Sequence, residues 1–197
     1  MLSVARTGTH VLEPKLPIRT ERLILRAFRA DDFDAVFAMQ SRPDVARFLY
    51  WDARTDAEVR EALTKKVAST AIREEEDILF LAAELYATGQ LVGDVVLQWV
   101  SRQHLSGEIG FIVHPDHQGR GYATEASREL LRLAFEELQL HRVVGRVEAR
   151  NIGSARVLEK LGMRREAHLI ENEFVKDEWQ SELVYAMLAR EWGRQGS

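Results

Sequence analysis

The stretch HPDHQGRGYATEASRELL, residues 114–131, constrains the fold more than any other part of the chain. It leaves an apolar run, GEIGFIV at 107–113, passes His114 and Pro115, sets Gly119 and Gly121 on either side of an arginine, and enters a long helical pattern. A proline biases the residue before it toward extended backbone, so the strand ends at His114. Glycine admits positive φ and leaves room against the chain, at an entropic cost to the elements beside it. The first amides of a helix have no intrahelical partners, and with the helix dipole they form a site for an anion. The junction therefore reads in two ways at this point: as a phosphate cradle across 118–123, or as a strand-to-helix turn whose glycines only relieve strain. It is not a nucleotide P-loop, because no Gly-Lys-Ser/Thr ending follows. Its glycines are also too closely spaced for a dinucleotide fingerprint.

The elements around this junction follow from periodicity. After Gly121, the residues Ala126, Leu130, Leu131, Ala134, Phe135 and Leu138 trace one helical stripe. RLILRAF at 22–28 alternates as a strand with one buried face. ADDFDAVFAMQS sets Phe33, Val36 and Phe37 at helical spacing behind Asp31 or Asp32 as caps. TDAEVREALTKKVASTAI opens a second helix with a capping box of Thr55 and Glu58. ILFLAAELY and LVGDVVLQWV, joined by ATGQ, predict a hairpin. RVVGRVEA at 142–149 is a strand, SARVLEKL a helix that Gly162 caps, and WQSELVYAML a last strand behind REAHLIENEF. The order strand, two helices, three strands, helix, strand, helix and two strands predicts an α/β or α+β sheet with helices on both faces. Residues 1–18, with Pro14 and Pro17 and no apolar period, read as an N-terminal arm. Residues 19–190 read as one domain and 191–197 as a tail.

Composition removes several chemistries. With 197 residues, 46% hydrophobic and 29% charged, the chain buries a core without covalent staples. It has no cysteine, which excludes disulfides, thiolate metal sites and a covalent cysteine intermediate. A net charge of -4 argues against a general nucleic-acid binder. No apolar run approaches the roughly 20 residues of a membrane helix, and MLSVARTGTH lacks the apolar core of a signal peptide. A cytoplasmic protein without membrane contact is expected. His114 and His117 flank Pro115 without a third donor at ligand spacing, so no metal is expected.

Gln118-Gly119-Arg120-Gly121-Tyr122-Ala123 resembles the [QR]-x-x-G-x-[GA] acyl-CoA signature of the GCN5-related N-acetyltransferase (GNAT) superfamily. EARNIGSARVLEKLGM resembles the Asn-x-x-Ser helix of that superfamily and its exit. TERLILRAFRADDFDAVFAM is similar to the opening of the ribosomal-protein N-terminal (alanine/serine) acetyltransferase-like branch. Together the segments span about 19–188 in the family's order. The resemblance implies an α/β (α+β) GNAT fold, a mixed and mostly antiparallel sheet of about seven strands, with the strands at 107–113 and 142–149 splayed apart. It implies acetyl-CoA as the acyl donor, with its pyrophosphate on the amides from Gln118 to Ala123, that is Gln118, Gly119, Arg120, Gly121, Tyr122 and Ala123. Thr124 adds a hydroxyl and Arg120 a charge. The backbone of Phe111, Ile112 and Val113 pairs with the pantetheine arm, and Asn151 and Ser154 face the same groove. Asn151 also reads as the cap of the helix that follows it. Many members of the family carry a tyrosine four residues after the serine as acid for the departing thiolate. Leu158 stands there instead, which leaves Ser154 as the hydrogen-bond donor to sulfur.

The resemblance further implies direct attack by a primary amine in a ternary complex. The amine must be neutral to attack, and a free α-amino group, with a pKa near 8 against about 10.4 for lysine, needs less help from a base. Alternation places Glu108 on one face with Gly110 and Ile112, where it serves as base directly or through water. Its structural reading is an edge glutamate paired with an arginine. Glu171, Asn172 and Glu173 are expected in a loop before the last strand, where this branch places substrate contacts. Tyr185 is expected in the core rather than as an acid, and Trp99, Trp179 and Trp192 in the core rather than along a substrate cleft. The expected acceptor is a protein N-terminal α-amine, on a ribosomal or other protein. A polyamine, an aminoglycoside, a succinyl donor, or a non-catalytic acyl-CoA-binding regulatory module remain alternatives. An exposed sheet edge makes a homodimer an expectation as well.

Overall fold

Eight strands form one sheet, most of them through alternating apolar side chains. In the computed structural model, which describes residues 10–194, these are β1 (Ile18–Arg19), β2 (Leu23–Arg26), β3 (Ile78–Leu85), β4 (Leu91–Ser101), β5 (Ser106–Val113), β6 (Arg142–Glu148), β7 (Arg164–Val175) and β8 (Glu178–Leu188). Their order is β1-β2-β3-β4-β5-β6-β8-β7. The first nine residues of the expected arm and the last three of the expected tail lie outside the described residues. Nearer the domain, Leu12 is buried and bridges Ile72, so this stretch packs into the core.

The helices are α1 (Phe33–Gln40), α2 (Pro43–Ala46), α3 (Asp56–Ala68), α4 (Tyr122–Arg132), α5 (Ile152–Lys160) and α6 (Ala189–Trp192). They cover both faces of the sheet, and β3 shows how. Leu79, Leu81 and Ala83 join a core with Leu130, Leu131 and Leu158 of α4 and α5. Phe80 and Ala82, pointing the other way, pack with Val36 of α1 and Val59 and Leu63 of α3. The helical stripe after Gly121 is buried throughout, from Ala126 to Leu138, and α4 runs on into a π-helical turn at Leu133–Glu137. The capping box of α3 forms as its sequence predicts, with the Thr55 amide donating to Glu58 at 2.8 Å.

Every adjacent pair of strands is antiparallel except β5 with β6. That parallel pair holds register only at Ser106 with Arg142, Gly107 with Val143 and Glu108 with Val144. Beyond Glu108 the two strands diverge, as the family resemblance implies. The edge of β5 from Ile109 to Val113 faces an opening instead of a neighbouring strand, and this opening positions the site.

Two expectations need correction. Glu171, Asn172 and Glu173 lie inside β7, not in a loop, around a bulge between Leu169 and Glu173. The turn comes later, at Lys176 and Asp177, both with positive φ (53° and 60°) as a tight hairpin requires. β7 is an edge strand exposed along most of its length, so it lacks the apolar alternation that marks a strand in sequence. Trp179 is 61% exposed, stacked edge-on against Phe174 across the hairpin, and so is not a core residue. Trp99 and Tyr185 are buried as expected, and Trp192 packs on the core surface.

Candidate active site

The glycine junction takes the shape its sequence allows. Gly119 and Gly121 adopt φ of 75° and 84°, and Gly121 is the residue from which α4 starts. A Cβ on Gly119 would meet nothing within 4 Å, so this backbone borders open space. Gln118 folds back, its side-chain amide donating to the Val113 carbonyl at 3.0 Å, which ties the loop to the end of β5. The loop, the free edge of β5 and the start of α5 enclose a groove of about 490 Å³. Every residue expected to contact the acyl donor lines this groove except Arg120. The guanidinium of Arg120 turns back and donates to the Asp116 carbonyl at 3.0 Å. His117, read in the sequence only as a poor metal ligand, also lines the groove, and its Nδ1 is buried without a partner.

Asn151 caps α5 by accepting a hydrogen bond from the Ser154 amide at 3.1 Å. The cap uses the backbone of Ser154, which leaves its hydroxyl for another partner. Leu158, one turn further on, is buried over Gly145 of β6, where the glycine makes room for it.

A second chamber, of about 710 Å³, opens on the other side of the splayed strands. The two spaces share Phe48, Leu49, Phe111, Ile112, Asn151 and Ser154. Four of the carboxylates that line the second come from separate strands, Glu108 on β5, Glu148 on β6, Glu173 on β7 and Glu182 on β8, and Glu76, Asp77 and Asp94 line it too. Arg146 sits among them, with Nε 3.4 Å from Glu108 and Nη1 donating to Glu182 at 2.8 Å. Burial pushes the Glu108 carboxyl above its ordinary range, Arg146 offsets part of that shift, and the neighbouring Glu182 charge adds to it. Glu148 is held by Arg150, whose Nε donates at 2.8 Å. The Tyr50 hydroxyl donates to Glu173 at 2.7 Å. At the floor, the buried Lys66 and Asp94 pair at 2.8 Å.

Glu108 and Ser154, expected to act together from the sequence, line the same chamber. Arg146, Tyr50 and Glu182 were not anticipated. An arginine inside the apolar run RVVGRVEA is a usable signal for the first. Tyr50 lies in a loop whose place over the sheet only the fold decides.

No helix among the described residues is long and apolar enough to cross a membrane, and no group of three or more metal-ligating side chains occurs among them. The chain matches the Acetyltransferase (GNAT) domain family over residues 22–164. It is 31% identical over 180 residues to the uncharacterized N-acetyltransferase YnaD of Bacillus subtilis, an alignment covering 89% of this chain and 98% of that protein. It is 25% identical over 159 residues to the spermidine N(1)-acetyltransferase of Vibrio cholerae, covering 81% of this chain and 88% of that protein. Among solved structures, an acetyltransferase of the GNAT family from Bacillus anthracis superposes with a TM-score of 0.80 at 31% identity, covering 88% of this chain and 99% of that one. A groove at a glycine-started helix beside two splayed parallel strands, in a chain matched over most of its length, means that this protein belongs to the GNAT family of acetyl-CoA-dependent N-acetyltransferases.

Proposed function

We propose that this acetyltransferase takes as acceptor a primary amine arriving as a single ammonium ion, and that this amine is the N terminus of a protein. The observation that carries the reading is the meeting of the acyl-donor groove and the carboxylate-lined chamber at Asn151 and Ser154, with Glu108 in the chamber wall. In this reading the amides of 118–123 and the hydroxyl of Thr124 hold the pyrophosphate of acetyl-CoA, and the free edge at Phe111, Ile112 and Val113 pairs with the pantetheine arm. Glu108, directly or through one water, takes a proton from the acceptor ammonium. The neutral nitrogen attacks the thioester carbonyl, the carbon–sulfur bond breaks while the Ser154 hydroxyl donates a hydrogen bond to the departing thiolate, and the nitrogen loses its remaining extra proton, which ends on sulfur as the free coenzyme A thiol. With no cysteine in the chain, no acyl-cysteine enzyme intermediate intervenes.

The pairing of the carboxylates supports an acceptor with one charge. Glu108 and Glu182 share Arg146, and Glu148 is held by Arg150. Only Glu173 of the four has a neutral partner, Tyr50. One ammonium beside Glu173 fits without displacing these arginines, while Glu76 and Asp77, in the same wall, are held by the neutral Gln98 amide and by backbone amides. A lower amine pKa also lessens the work asked of Glu108, which favours an α-amine over a lysine side chain. The similarity of TERLILRAFRADDFDAVFAM to the ribosomal-protein branch supports the same acceptor. The name of the Vibrio cholerae relative supports the alternative of a polyamine acceptor.

The deciding measurement is thiol release from acetyl-CoA with a panel of N-terminal peptides, free lysine, spermidine and aminoglycosides. Release dependent on peptides with a free α-amine supports the proposal. Release with spermidine and none with peptides replaces it by the polyamine reading. Tight acetyl-CoA binding with no release from any amine replaces it by a non-catalytic binding module.

A further inference from the structure

One motif remains without a part in the site. The opening TERLILR places Thr20 and Arg22 in the turn just before β2, far in sequence from the glycine loop and in contact with it in space. The Arg22 backbone amide donates to Glu125 Oε1 at 2.7 Å and its Nε to Glu125 Oε2 at 2.7 Å. Thr20 adds its hydroxyl to the same Oε1 at 2.6 Å. The Arg22 Nη1 donates to the Arg120 carbonyl at 2.9 Å, and its guanidinium lies over the Tyr122 ring, 4.9 Å from the centroid. One arginine thus engages a loop carbonyl, the ring of the first helical residue and the carboxylate in the first turn of α4.

We infer that Arg22 is the positioning residue of the acyl-donor loop, holding its amides in the orientation that receives a pyrophosphate. The inference rests on the assignment of residues 118–124 to the pyrophosphate. A peptide unit is planar and trans, so its carbonyl and its N–H point in opposite directions. Arg22 holds the carbonyl of the peptide between Arg120 and Gly121, and this directs the Gly121 N–H away from Arg22. Gly121 lines the groove, so that direction serves an anion bound there. The same arginine answers a charge problem. Glu125 is an anion in the first turn of the helix that must attract another anion. Paired with Arg22 and Thr20, its charge is compensated and its carboxyl is held below the usual range, despite the opposing effect of burial. Without Arg22 the donor would meet a loose loop and a bare carboxylate together.

The test compares acetyl-CoA with S-acetylpantetheine, which carries the thioester and pantetheine arm and lacks the pyrophosphate. In wild type, acetyl-CoA should show the lower KM. Arg22→Gln should raise the KM for acetyl-CoA by about ten-fold or more, with the KM for S-acetylpantetheine and the KM for the acceptor unchanged. Arg22→Lys keeps the charge and loses the fork, so it should recover part of the affinity. It also serves as the test should Arg22→Gln not fold. Adding Glu125→Gln to Arg22→Gln should restore part of the loss by removing the bare charge. Hydrogen exchange of residues 118–124 should quicken in both single arginine variants. Wild-type discrimination between the two donors in a folded Arg22 variant overturns the inference. No discrimination in wild type overturns the pyrophosphate assignment beneath it.

Discussion

The Nε of Arg146 lies 3.4 Å from a carboxylate oxygen of Glu108, on the neighbouring strand just where β5 and β6 part. Its other arm holds Glu182 of β8. The charges around Glu108 are therefore one arginine shared between two carboxylates, with the Tyr50 hydroxyl approaching from the loop after α2.

With Glu108 as the proposed base, this arrangement sets the pH dependence expected of the enzyme. Burial, the largest influence on Glu108, raises its pKa, and a base works only in its ionised form. Activity should be present above that raised value and fall as pH drops through it, so the acidic limb of kcat/KM should lie above the ordinary carboxylate range. Glu108→Gln should lose about 10²–10⁴ in turnover near neutral pH and regain part of it at high pH, where the acceptor is already neutral. Superimposable profiles for variant and wild type would leave Glu108 with a structural role alone.

Arg146 draws the Glu108 pKa down, against burial. Arg146→Met removes that effect and leaves Glu108 facing the uncompensated Glu182 charge, so the acidic limb should move to higher pH. Arg146→Lys, which keeps a cation, should move it less. A limb that stays in place in both variants would show that the acceptor's own titration governs the rate.

Gly121→Val should abolish acetyl-CoA binding measured by calorimetric titration. At φ 84° any L side chain is strained, roughly 1–2 kcal/mol, and its Cβ would stand 3.3 Å from the Arg22 guanidinium. A thermal unfolding scan separates lost binding from lost folding. A folded variant with wild-type affinity would remove the pyrophosphate from this loop.

Ser154→Ala should lower turnover on the order of ten-fold or more and leave the affinity for coenzyme A nearly unchanged, the pattern of an interaction made chiefly in the transition state. The helix should be unaffected, because Asn151 is bonded to the Ser154 amide and not to its hydroxyl. Wild-type turnover would show that the thiolate leaves without this donor.

Lys66 and Asp94 form an ion pair with side chains 7% and 3% exposed, and the ammonium lies over the rings of Phe28 and Phe80. Lys66→Met strands a buried carboxylate and should destabilise the fold by about 3–5 kcal/mol. The double variant Lys66→Met with Asp94→Leu should recover most of it. Urea denaturation decides between them, and equal stability of the single variant and wild type would mean that Asp94 finds water.

What could be read from the sequence was local. The stripe from Ala126 to Leu138, the Thr55–Glu58 box, the Asn151 cap and the two glycines are set by backbone geometry within a few residues, and each appears in the fold where the sequence places it. The residues that the resemblance assigns to the acyl donor lie on three short segments, the end of β5, the glycine loop and the start of α5, and these line one groove, whereas the segment from Asp44 to Leu49 that completes it carried no sequence signal. The stretch from Glu171 to Glu173 was misread as loop because an edge strand open to solvent carries no burial pattern. Of the polar groups in the proposed acceptor chamber, Glu108, Ser154, Asn151 and Glu173 were legible. Tyr50, Arg146 and Glu182 come from a loop and two strands, and the partners of each charge are fixed by strand order, not by spacing along the chain. Arg22 and Glu125 make the same point: two residues 103 positions apart close the back of the glycine loop, and no local rule brings them together. Sequence sets which backbone shapes are affordable at each step, while the packing of distant strands decides which charges end up sharing a dielectric environment, and with it the chemistry of the site.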